Sequence, residues 1–97
     1  MAIDFYDLLD ENRKTKLFEI SQEDFNEIED VFLQIKKQTG VYIDAYGKSR
    51  IYRSHVELVI ALMMETMKAS DSNKRKVLSE TIIKFKTVDQ GFLTEGD

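Results

Sequence analysis

Apolar residues recur at helical spacing in three stretches of the chain, and this periodicity predicts three helices. The first begins after Ile20 and buries Phe25, Ile28, Phe32 and Ile35, with Val31 beside them. Ser21 can cap it, Asp24 sits where acid suits the positive helix end, and Ile20 with Phe25 has the spacing of a hydrophobic staple. Thr39-Gly40 supplies the stop, since glycine takes the left-handed capping conformation cheaply. On a helical wheel Glu23, Glu27, Asp30, Gln34 and Lys37 point away from the apolar stripe. The second stretch carries Val56, Val59, Ile60, Met63 and Met67, widened by Leu58, Leu62 and Met64. Ser54-His55-Val56-Glu57 has the form of a capping box, and only Glu57, Ala61, Glu65 and Lys68 break the apolar circumference. The pattern predicts a central helix from Ser54 to about Ala69, packed on two or more sides. The third helix is expected from Asp71 or Ser72 to about Val88, burying Leu78, Ile82 and Phe85, with Gln90-Gly91 ending it and Phe92-Leu93 folding back onto the core.

Two regions lack that period. Val41 to Tyr52 holds two short β-branched and aromatic runs around Gly47, the pattern of a small hairpin or an ordered loop. In the first twenty residues, Phe5, Leu8 and Leu9 suit a short helix over Asp4 to Leu9, while Lys16 to Ile20 suits extended chain. The absence of proline fits helices joined by short turns. The expectation is one mainly α-helical domain over residues 1–97, a bundle of three to four helices with a small β-hairpin around residues 41–52 as an option.

Composition narrows the function classes. Ninety-seven residues suffice for one core, and a 42% hydrophobic fraction suits a folded globule. With no cysteine, disulfides, thiolate catalysis and cysteine-ligated zinc are excluded. The N-terminus carries acid where a secretory signal needs base, and no apolar run reaches membrane-spanning length, so a cytoplasmic protein is expected. Charge is strongly polarised. Residues 1–30 hold ten acidic and three basic side chains, residues 31–86 hold eleven basic and five acidic, and the total is −4. Like charges at such density repel one another, a cost often tolerated because a cationic partner benefits from the field.

Catalytic chemistry finds little footing. His55 is the single histidine, and Ser54 and Glu57 beside it are accounted for by capping. One histidine without cysteine, and without an HExxH spacing, makes no metal site, so neither catalytic residue, metal nor cofactor is expected. Asp44-Ala45-Tyr46-Gly47-Lys48-Ser49 has one glycine and one carboxylate, too few for a phosphate or calcium loop. Tyr42, Tyr46 and Tyr52 read equally as core and rim or as a recognition loop, because tyrosine joins apolar area to a hydrogen-bonding tip. Met63, Met64 and Met67 could make an adaptable groove, though core packing fits them better. Lys74-Arg75-Lys76, with Lys84 and Lys86, could touch phosphate, but a sequence pI of about 5.0 disfavours nucleic acid. The acids Glu23, Glu27, Glu29 and Asp30 remain, as a solvated face or a protein-binding surface.

The run Thr39 to Ile51, followed by a capped apolar helix, is similar to a stretch of small bacterial proteins. The short, acidic, cysteine-free format resembles the immunity proteins of contact-dependent inhibition and related polymorphic toxin systems. Those proteins share a role more than a motif, so no functional residue carries over. The resemblance implies inhibition of one basic toxin, commonly a nuclease, by covering its active site or substrate groove. An acidic helix face can imitate the phosphate array that such a groove binds. The partner-binding candidates are therefore Glu23, Glu27, Glu29 and Asp30 for charge and Tyr42, Tyr46 and Tyr52 for anchoring. Two alternatives stay open: a structural or regulatory protein that forms a homodimer through opposite charges, and a nucleic-acid-binding regulator using Lys74 to Lys86. No membrane partner is expected.

Overall fold

The computed structural model describes residues 2–88 and 90–96 and corrects the expected class: the chain is an α+β domain, not a mainly α-helical bundle. The element order is β1 (Ala2–Asp7), β2 (Lys16–Ser21), α1 (Gln22–Thr39), β3 (Lys48–Tyr52), α2 (Arg53–Met67), α3 (Ser72–Phe85) and β4 (Gly91–Gly96). The four strands form one antiparallel sheet in the order β2-β1-β4-β3. The last strand thus lies inside the sheet, between the first and the third.

All three helices pack on one face. Ile3, Phe5, Ile20, Ile51 and Phe92 from the sheet join Phe25, Phe32, Val56, Met63, Leu78 and Phe85 from the helices in a single buried core. Its centre is aromatic. Phe85 on α3 approaches Phe92 at 4.9 Å and Phe5 at 5.5 Å between ring centroids, and reaches Phe32 of α1 at 6.5 Å. Tilted and edge-on rings at these separations suit the aromatic quadrupole and add to the burial itself.

Helix α1 forms as its sequence predicts. Ser21 Oγ accepts the amide of Asp24 at 3.1 Å, Phe25, Ile28, Val31, Phe32 and Ile35 are buried, and Gly40 closes the helix at φ 80° with its N–H on the Lys36 carbonyl. Helix α3 is capped by Asp71, whose carboxylate accepts the amide of Lys74 at 2.8 Å.

Lys16–Ser21 is extended as expected, but other expectations are overturned. Residues Asp4 to Leu9 form no helix, because Ala2–Asp7 pairs on both sides, with β2 and with β4. Residues 41–52 form no hairpin: Lys48–Tyr52 pairs with Gly91–Gly96, and residues 41–47 are an irregular loop. The proposed capping box is also absent. Helix α2 starts directly from the strand at Tyr52, which makes no side-chain cap, and Glu57 turns to Arg53 at 3.3 Å. Helix α2 packs against both other helices and the sheet, as expected, but only Val56, Val59 and Met63 are buried while Leu58 and Met64 are exposed.

Candidate functional site

The ten acids near the start of the chain do not share one surface. Asp7 and Asp10 serve the β1–β2 connection: Asp7 Oδ1 accepts the Leu9 amide at 2.9 Å, and the Asp10 carboxylate accepts those of Thr15 at 2.9 Å and Lys14 at 3.2 Å. These backbone donors hold the Asp10 carboxyl below the ordinary aspartate range. Asp4 and Glu19 stand opposite one another across β1 and β2, and Lys16 bridges them at 3.6 and 3.2 Å. Asp30 is joined to Lys74 of α3 at 2.7 Å. Among the described residues Glu23, Glu27 and Glu29 make no ion pair, and they project from α1, whose other side is locked into the core.

Those three do not lie on one stripe. Glu23 and Glu27 occupy the solvent side of α1, with Asp30 a turn further on. Glu29 lies on the flank of α1 nearer the loop of residues 41–47, close enough for its charge to act on Tyr42. There Tyr42 is half-buried, its ring under Lys36 Nζ at 4.7 Å from the centroid, and Tyr46 is 69% exposed at the loop tip. Burial raises the Tyr42 phenol, and the charges of Glu29 and Asp44 and the neighbouring Tyr46 raise it further. The structure therefore brings Glu29, Tyr42 and Tyr46 together. It leaves Glu23, Glu27 and Asp30 on the adjoining face and puts Tyr52 elsewhere. Lys36 and Asp44 belong to this patch and were missed. The signal for Lys36 was its place one turn before Gly40, whose left-handed turn sends the chain back along α1.

Tyr52 lies on the opposite side of the sheet, where no helix packs. Alternation places Asp4, Tyr6, Glu19, Lys48, Arg50, Leu93 and Glu95 on that face too. Tyr6 and Leu93 are buried at its centre, outside the helix-side core. Asp4 is in register with Glu19 on one side and Glu95 on the other, an arrangement of like charges that opposes strand pairing. Lys16, Lys48 and Arg50 on the same face offset it, so the face carries no net acidic field to compare with α1.

Burial raises the Tyr6 phenol, and Asp4 and Glu95 add to the effect. Tyr6 and Tyr42 should both ionise above the ordinary tyrosine value of about 10 in the folded protein and near that value once unfolded. Their contribution to stability is then complete below about pH 10 and is lost as pH rises through the higher folded values. Following phenolate absorbance in buffer and in urea tests this. The native curve should lag, and the lag should shrink in Tyr6→Phe and Tyr42→Phe; superimposable native and denatured curves would refute it.

The basic segment of α3 is largely occupied within the fold. Lys74 holds Asp30, Lys84 Nζ donates to the Glu19 carbonyl at 3.1 Å, and Arg75 donates to the carbonyls of Met67, the last residue of α2, at 3.3 Å and of Ser70 at 3.0 Å. Within this segment only Lys76 and Lys86 have no side-chain partner among the described residues, a poor phosphate surface. His55 is partly buried with Nδ1 unpartnered, and the described residues bring no triad of histidine, cysteine or carboxylate together for a metal. A cleft of about 240 Å³ lies between the start of α2 and the end of α3, floored by Val56, Ile60, Phe85 and Val88. Its rim of Arg53, Glu57 and Lys86 offers no nucleophile beside a base, and its size falls below that of ordinary ligand pockets. No helix among the described residues is long and apolar enough to cross a membrane. Comparison with family models, with curated proteins and with solved structures finds no match to the chain.

Proposed function

We propose that the protein is an inhibitory binding protein of the cytoplasm that neutralises a basic toxin domain, most naturally a nuclease, by covering its cationic groove with the acidic side of α1. One observation supports this above the others: among the described residues Glu23, Glu27 and Glu29 have no ion-pair partner, on a helix held rigid by five buried side chains. Part of that acid has a local use, since Glu23 and Asp24 sit in the first turn and complement the helix dipole. Glu27 and Glu29 lie beyond that turn, so the dipole does not account for them. Carboxylates preset on a rigid helix speed encounter with a positive surface and cost little reorganisation on docking.

The test begins with the neighbouring gene, which on this reading encodes a secreted protein with a variable C-terminal domain. That domain, co-expressed, should co-purify with this protein and lose its toxicity. Glu23→Lys combined with Glu27→Lys should weaken the complex at least about tenfold, and added salt should weaken the unmodified complex too. A complex indifferent to both changes, or no complex, would defeat the reading.

A further inference from the structure

The loop of residues 41–47 is fixed in place while presenting two tyrosines. Ile43 and Ala45 are buried, the Asp44 amide donates to Ser49 Oγ at 2.9 Å, and the Tyr46 amide donates to Asp44 Oδ1 at 2.9 Å. The Gly96 amide ties the loop to β4 through the Gly47 carbonyl at 2.8 Å. Facing the loop, Glu29, Leu33 and Lys36 follow one another at four- and three-residue intervals, and so share one stripe of α1. Leu33 is 48% exposed on that stripe, an apolar neighbour for an incoming chain.

The Tyr42 ring already carries a cation, Lys36 Nζ at 4.7 Å from its centroid. Among the described residues that ammonium makes no ion pair with Glu29 or Asp44, and neither carboxylate, each near enough for its charge to act on Tyr42, has an ion-pair partner. We propose that this patch of Tyr42, Tyr46, Glu29 and Asp44 receives an arginine side chain from a basic protein partner, and that Lys36 is the internal stand-in which the arginine displaces. The inference rests on the reading of the protein as a binder of a cationic partner, and it specifies where and how the anchor docks. Arginine suits the patch better than lysine because a planar guanidinium stacks on the ring while donating sideways to a carboxylate. Both tyrosines are preset by the pinned loop, so ordering costs on binding are small.

The experiment is a titration of the labelled protein with an end-blocked tetra-arginine peptide, followed by backbone amide chemical shifts, with tetralysine as comparison. The shifts should concentrate on residues 29–36 and 42–46, and tetra-arginine should bind more tightly than tetralysine. Tyr42→Leu should weaken binding about fivefold, and Tyr42→Phe, which keeps the ring, should restore it. Lys36→Ala should tighten binding about threefold, while Lys37→Ala, an equal change of charge on the next residue, should do much less. Indistinguishable Lys36 and Lys37 variants, or an ineffective Tyr42→Leu, would overturn the proposal. Shifts centred on Glu23 and Glu27 would overturn it while leaving the acidic-helix reading intact. An intact arginine response in a protein that ignores every toxin domain would do the reverse.

Discussion

Phe85→Ala is expected to destabilise the domain by about 4 kcal/mol, the range for truncating a fully buried phenylalanine. The ring is fully buried and touches both layers: Phe5, Phe18 and Phe92 on the strands, and Phe32 on α1. These neighbours are themselves large and well seated, so they have little freedom to close over the space left behind. Because domains of this size are typically stable by only about 5–15 kcal/mol, such a loss consumes much of the margin. Urea denaturation followed by circular dichroism should show a strongly lowered midpoint with an unchanged slope. Phe85→Leu, which refills most of the volume, should lose markedly less. A Phe85→Ala loss under about 1 kcal/mol would mean that the ring cluster is not the keystone described above.

Gly91→Ala should be comparably damaging, for a reason located in the backbone. Gly91 has φ 128°, and a Cβ there would lie 2.1 Å from the Ile51 carbonyl oxygen and 3.0 Å from the Tyr52 Cα. Neither atom can yield without moving β3 off β4, where Tyr52 and Gly91 are paired. Conformational strain and the collision together should cost about 3 kcal/mol or more. Amides on both sides of the β3–β4 ladder should then exchange faster, while those of the β1–β2 hairpin change less. Uniform acceleration everywhere would indicate global destabilisation without local detachment of β3.

The contrast between helices and strands explains what the sequence disclosed. Helix α1 could be read because one face is buried and one is wet, and because Ser21 and Gly40 mark its ends. Strands β1 and β4 could not be read by alternation. Phe5 and Tyr6 are both buried, as are Phe92, Leu93 and Thr94, because these inner strands are covered on both faces at those points. In β1 that dense run, followed by Leu8 and Leu9, imitated a helical pattern. Strand β3 passes into α2 with no connecting loop, so Ser54 fell inside the first helical turn and could not cap it. The partner of Lys48–Tyr52 lies some forty residues onward, beyond any local signal.

The candidate site was legible in part for the same reason. The wheel that exposed Glu23 and Glu27 needed only the local period of α1. The meeting of Glu29 with Tyr42 and Tyr46 depends on how the chain leaves Gly40, and the seating of Lys36 on the Tyr42 ring depends on tertiary packing. The pairing of Asp30 with Lys74 crosses from α1 to α3, and it withdrew one expected contact residue from the free acidic surface.

Placing β4 between β1 and β3 has a consequence for cooperativity. The N-terminal hairpin and the strand that leads into α2 share no ladder of their own, so each remains an unfinished half until a late segment zips them together. Loop closure over that distance is slow, and no stable partial assembly rewards it along the way. Fraying of the inner strand β4 should accordingly release both halves at once, whereas loss of the edge strand β3 alone stays local.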